Sequence, residues 1–152
     1  MSITDKLREL QITLPIPPEP KGNYVSSVRV GNCLHICGHI PQHEGGLVKG
    51  KIGKDLTKEE GYRSARFCAI NILGTIQKEL GTLDRVTRIV KVVGFVNCTE
   101  DFIEQPAVIN GASDLFVEVF GEKGRHARSA VGSNALPLGI ATEVECIVEI
   151  EG

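Results

Sequence analysis

Hydrophobic residues recur along this chain at two periods, every second position in some stretches and every third or fourth in others. The switches between them predict the elements. The strongest helical pattern runs from Tyr62 through Ala65, Ala69, Ile72, Leu73 and Ile76 to Leu80. Thr57-Lys58-Glu59-Glu60 ahead of it is a capping box, and Gly81 behind it suits the left-handed residue that ends a helix. A second helical region is predicted from Thr99-Glu100-Asp101 onward. Pro106 falls in the first turn of its main segment, Val108, Ala112, Leu115, Phe116 and Val119 form its apolar face, and Gly121 ends it. Ile3, Leu7 and Leu10 predict a short N-terminal helix capped by Ser2 or Thr4.

Strand patterns cover Tyr24 to Val30 and Cys33 to Ile40, with Gly31-Asn32 between them as a type II′ turn and Pro41 closing the second. Val86 to Val96 is a valine- and isoleucine-rich strand. Two short strands close the chain around Leu136-Pro137-Leu138-Gly139. The first carries Arg128, and the second alternates Glu143, Glu145 and Glu149 with Val144, Cys146, Val148 and Ile150. Pro15-Ile16-Pro17-Pro18-Glu19-Pro20 is an extended arm over the domain surface or a ligand for a proline-binding module, and Gly45 to Gly53 is a loop with a short edge strand at Leu47-Val48. The order strand-strand-helix-strand-helix-strand-strand implies a single α+β domain over residues 1–152, with two main helices on one face of a mixed sheet.

Composition narrows the function classes. Seventeen basic and 19 acidic residues give a net charge of −2 without a run of either sign. That disfavours nucleic acid as a main partner, because phosphate backbones are gripped by basic stripes. No apolar run reaches the roughly 20 residues of a membrane span, and MSITDKLREL has no apolar core of a signal peptide, so the expected setting is cytoplasmic. The five cysteines, at 33, 37, 68, 98 and 146, are odd in number and sit mostly in apolar runs, as reduced thiols do.

Three arrangements are candidates for chemistry. His35, Cys37 and His39 alternate along one strand, with His43 nearby, and imidazole with thiolate suits zinc. The plainer reading is a strand whose polar positions meet water or an interface. Cys37, flanked by two histidines, or Cys98 is a candidate nucleophile, against the commoner use of cysteine as a small core residue. Arg128 with Glu143 is the third: the planar guanidinium fork matches a carboxylate, and a glutamate of raised pKa can shuttle a proton. The competing reading is an internal Arg128–Glu143 salt bridge tying the closing strands together. Direct opposition of the two in a hairpin centres its turn between Ala135 and Leu136, slightly ahead of the Pro137 and Gly139 signals, so the pairing stays open.

Ala127-Arg128-Ser129-Ala130-Val131, Leu136-Pro137 and Glu143-Val144-Glu145, in this order and spacing, resemble the signature of the Rid (YjgF-like) family of enamine/imine deaminases. Gly22-Asn23-Tyr24-Val25 resembles that family's Gly-Pro-Tyr segment, Cys37-Gly38-His39-Ile40-Pro41 its Ser-Gly-Gln-Ile-Pro, and Asn110 falls where it has a helical asparagine. The resemblance implies a chorismate-mutase-like α+β sandwich, a homotrimer with clefts between subunits, and cofactor-free, metal-free hydrolysis of 2-imino or 2-enamino acids to 2-keto acids and ammonia. It also implies that Arg128 binds the carboxylate of a small metabolite, that Glu143 positions water, and that Tyr24, Cys37, Gly38 and Asn110 line the pocket. Cys37 in place of a serine or threonine, Ala130 in place of a cysteine, the longer N-terminus and the longer tract from Ala107 to Arg125 mark a divergent subgroup. A non-catalytic trimer that binds a carboxylate metabolite is the alternative. A ribonuclease or translation inhibitor is disfavoured, since the chain lacks a basic stripe and a histidine pair spaced for acid–base work.

Overall fold

The computed structural model describes residues 1–152. Helix α1 (Ile3–Glu9) is capped by Ser2, which exchanges hydrogen bonds with Asp5. Helix α2 (Lys58–Leu80) starts at the predicted box: the Glu60 amide donates to Thr57 Oγ1 at 3.1 Å and the Thr57 amide to Glu60 Oε1 at 3.0 Å. It ends at Gly81, whose φ of 81° is the left-handed conformation a Cβ would strain. Helix α3 (Gln105–Phe120) begins later than Thr99. The Thr99 carbonyl accepts from the Phe102 amide at 3.1 Å in a single turn, and helical bonding starts only at the Glu104 carbonyl, which accepts from the Val108 amide at 3.3 Å.

Strands β1 (Ser27–Val30) and β2 (Cys33–His39) form the predicted hairpin, Val30 facing Cys33 across Gly31 at φ 61°. Tyr24 to Ser26 lie outside β1, which is shorter than the sequence pattern. β3 (Gln42–His43) and β4 (Gly46–Leu47) make a small separate hairpin. β5 (Val86–Asn97), β6 (Ala127–Ser133) and β7 (Thr142–Ile150) complete a five-stranded sheet in the order β1-β2-β7-β5-β6. β5 and β6 run parallel, joined by α3, while β7 is antiparallel to both β5 and β2.

The two closing strands are therefore not a hairpin: β5 lies between them. Residues 134–141 act as a strap across the end of β5. Asn97 holds it through its amide to the Ala141 carbonyl at 2.9 Å and through Nδ2 to the Ile140 carbonyl at 3.1 Å. The Gly50 amide reaches Gly139 O at 2.9 Å, and Lys51 Nζ reaches Asn134 O at 2.6 Å. Period-two alternation has the same appearance whichever strand is the partner, so the turn signals read equally well as a hairpin.

Helices α2 and α3 cover one face of the sheet, burying Ile72, Ile76, Leu115 and Phe116 against Leu34, Ile36, Val92, Val144 and Val148. Each such side chain contributes roughly 1.5–3 kcal/mol by leaving water. Two glycines set how closely the helices sit. A Cβ on Gly111 would strike the Tyr62 carbonyl of α2, and one on Gly94 of β5 would lie 2.5 Å from Ile109 Cδ1 of α3. The proline arm lies over α2. The Pro15 carbonyl is 2.5 Å from where a Gly74 Cβ would stand, and Glu19 pairs with Lys78 at 3.1 Å. The opposite face of the sheet, with Val28, Val30, Val93, Phe95, Val131 and Ile147, has no layer of this chain over it.

Candidate functional site

The helix-covered side holds Arg128. In register with buried Val92, it points from edge strand β6 toward α3, where Asn110 and Ser113 stand one turn apart on the same helix face. Arg128 Nη1 donates to Asn110 Oδ1 at 2.7 Å and to Ser113 Oγ at 3.1 Å. Its Nε and Nη2 have no acceptor in the chain, and no carboxylate pairs with it. Ser113 Oγ is also 2.9 Å from His126 Nε2, and His126 Nδ1 donates to the Gly124 carbonyl at 2.6 Å. Burial first, and the Arg128 charge after it, push His126 below its ordinary pKa, so the ring is held neutral. Sequence reasoning reached Asn110 and Arg128 but missed Ser113 and His126. Their signals were positional: three residues beyond Asn110 on a helix, and two before Arg128 in an extended segment.

Glu143 stands on the other face. Its register partner is Phe95, and its Oε2 fills the space that a Gly38 Cβ would need, 2.5 Å away. A larger residue at 38 would evict the carboxylate. Burial, then the neighbouring Glu145 charge, raise the Glu143 pKa from its ordinary value. Gly38 and Cys37 come to this position through an irregularity in β2. Ile36 faces Cys146 and His39 faces Val144, so Cys37 and Gly38 together oppose the single residue Glu145, as in a β-bulge. Tyr24, 58% exposed, lies ahead of β1 and joins neither group.

Three readings that the sequence left open are decided by the structure. Arg128 and Glu143 form no internal salt bridge. β5 separates their strands, their side chains leave opposite faces, and they are three register positions apart, so their backbones are roughly 14 Å distant by strand spacing and rise. The face shared by His35, Cys37 and His39 does not exist either. The extra residue in β2 turns His39 to the helix side, where Nε2 meets Thr75 Oγ1 at 2.7 Å, while His35 stays exposed in register with Ile147. No group of three or more His, Cys, Asp and Glu side chains in the chain is placed to hold a metal ion. As for a nucleophile, burial pushes the Cys37 thiol up, with Glu143 and Glu145 adding to the rise. His39 Nδ1 donates to the Cys37 carbonyl at 2.7 Å, which leaves it no lone pair for the thiol 4.0 Å away. Cys98 is a buried side chain that accepts a long contact from Gln105 Nε2, and it has no base beside it.

Known proteins agree with this architecture. A Trypanosoma cruzi protein, TCP17, is 47% identical over 150 residues, 97% of this chain and 94% of its own. A 2-iminobutanoate/2-iminopropanoate deaminase from Dermatophagoides farinae is 29% identical over 142 residues, 92% of this chain and 95% of its own. A solved structure from Shewanella oneidensis MR-1 superposes with a TM-score of 0.95 at 32% identity, covering 99% of this chain and 100% of that one. No helix is long and apolar enough to cross a membrane. The family described as "YjgF/chorismate mutase-like, putative endoribonuclease" matches residues 6–150. With its covered α+β sheet and that match over residues 6–150, the chain belongs to the YjgF (Rid) family.

Proposed function

We propose that the protein hydrolyses reactive 2-imino or 2-enamino acids to 2-keto acids and ammonia, in clefts that a homotrimer completes. The observation that carries this reading is the Arg128 guanidinium, fixed along one edge by Asn110 and Ser113 and left without an acid on the other. A small carboxylate is the complement to that free edge, accepting two parallel hydrogen bonds from Nε and Nη2. The likeness to an imine deaminase supports the choice of substrate class.

The chemistry needs a proton shuttle and a water. An enamine substrate first takes a proton from solvent on carbon, or an imine takes one on nitrogen, and both become the iminium ion. Water oxygen then bonds to the iminium carbon, the C=N π pair moves to nitrogen, and Glu143 accepts the water proton. The resulting amino alcohol receives that proton on nitrogen, its C–N bond breaks, ammonia leaves, and loss of the hydroxyl proton gives the keto acid. A carboxylate whose pKa is raised toward neutrality suits both halves of this exchange. Because Arg128 and Glu143 leave opposite faces of one sheet, they meet only if Arg128 of one copy stands over Glu143 of the next. The uncovered sheet face, where Val28, Val30, Val93, Phe95, Val131 and Ile147 stand among His35, Lys91 and Glu145, gives copies a surface to bury.

The test is ammonia release from 2-iminobutanoate generated in situ. Arg128→Ala is expected to lose about 100-fold in kcat/KM, about 2.7 kcal/mol for a charge-assisted pair, with the assembly intact. Unchanged turnover in that variant removes Arg128, and the proposed clamp, from the reaction.

A further inference from the structure

We propose that Ser113 and His126 are positioning residues that aim the Arg128 fork: the His126 ring orients the Ser113 hydroxyl, and that hydroxyl holds the guanidinium edge not used by substrate. This rests on the reading of Arg128 as a carboxylate clamp and adds two residues that neither the motif spacing nor the family likeness assigns.

Donor and acceptor chemistry fixes every proton in the chain of contacts. The Gly124 carbonyl can only accept, so His126 Nδ1 carries the proton of their 2.6 Å bond. In the neutral ring Nε2 is then bare, and it accepts the Ser113 hydroxyl hydrogen at 2.9 Å. That leaves the Ser113 oxygen facing Arg128 as an acceptor at 3.1 Å, while Asn110 Oδ1 takes the other Nη1 hydrogen at 2.7 Å. Both Nη1 hydrogens are consumed, so the side-on pair Nε and Nη2 is the only fork left to a ligand. The ring cannot turn freely either, since the Phe116 ring meets it edge-on, centroids 6.0 Å apart. If the Ser113 contact is removed, Arg128 keeps one anchor and its plane can rotate about it.

The arrangement requires a neutral imidazole, and its surroundings provide for one. Arg128 lies two residues on, in β6, and Arg125, on the other side, is paired with Glu122 at 3.4 Å. Lys123 belongs to the same turn, and the α3 side chains that meet the ring, Ser113 and Phe116, are uncharged. Protonation at Nε2 would place a second cation beside Arg128 and turn Nε2 from acceptor to donor. The Ser113 hydroxyl hydrogen would then have no partner.

The experiment is calorimetric binding of 2-oxobutanoate, with kcat and KM on generated 2-iminobutanoate, for wild type, Ser113→Ala, Ser113→Thr, His126→Asn and Arg128→Ala. Ser113→Ala and His126→Asn are each expected to weaken 2-oxobutanoate binding by about tenfold, the scale of one oriented hydrogen bond, as a rise in KM with kcat near wild type. The double variant should lose no more than either single one, because the two residues act in series. Ser113→Thr keeps the hydroxyl and should bind like wild type. Lowering the pH through the His126 titration should bring wild-type affinity down toward that of His126→Asn, whose own affinity stays flat. If Ser113→Ala binds within twofold of wild type while Arg128→Ala has lost the ligand, the positioning role is wrong and the clamp stands. If Arg128→Ala binds normally, the clamp itself fails.

Discussion

The two halves of the candidate site are built in opposite ways. Around Arg128, under the helices, one edge of the guanidinium is satisfied inside the chain and the supporting groups are tied in turn to a backbone carbonyl. Around Glu143, on the uncovered face, the carboxylate makes no ion pair, lies against a glycine, and is raised in pKa by burial and a like charge. The first half is preorganised, so it can bind with little further loss of side-chain freedom. The second carries a carboxylate whose charged form burial and Glu145 disfavour, which suits the proton exchange proposed for it. The contrast teaches that one copy presents Arg128 and Glu143 on opposite faces, so the proposed site needs two copies.

The sharpest way to break that comparison is complementation between copies. Arg128→Ala and Glu143→Gln are each expected to be nearly inactive alone. Co-assembled in equal amounts, they should recover about a quarter of wild-type activity, since random mixing makes about one interface in four from two intact halves. Recovery of nothing, with mixed assemblies demonstrated, would mean that each site lies within one chain.

A smaller effect probes the covered side. Gly111→Val forces a side chain into the Tyr62 carbonyl and should cost about 3 kcal/mol in urea unfolding. A cost under about 1 kcal/mol would show that α2 and α3 can part without penalty, and so that Asn110 and Ser113 are not rigidly placed.

The smallest effect concerns the acid. A general base must be ionised, so activity is lost as pH falls through the Glu143 pKa, which burial foremost and then Glu145 raise. Glu145→Gln removes the second cause and should move the acid limb of kcat to lower pH. A limb that stays put, or moves up, assigns the titration to another group.

Much of the fold was legible because its signals are local. The Thr57–Glu60 box, Gly81, the Gly31 turn and the 3.6-residue spacing of α2 depend on residues within a few positions of one another, and each appears where the sequence puts it. The errors arose where a partner distant in sequence intervened. Thr99 seemed to open a helix, but its carbonyl closes a single turn with the Phe102 amide while its own amide pairs with Ile52, which anchors the segment to a distant part of the chain. His39 seemed to share a face with His35 until one extra residue in β2 reversed it. The sequence left open whether Arg128 and Glu143 face each other across a hairpin, and β5 lies between their strands.

From the sequence alone, then, came the elements, the α+β class, the family signature and the identity of the two charged residues, because periodicity, capping and motif spacing are short-range properties. Only the tertiary structure decided which strand pairs with which, which face each side chain leaves by, and that Ser113 and His126 support Arg128. Those depend on register, and a shift or interposed strand reverses a side chain's surroundings while leaving the local pattern unchanged.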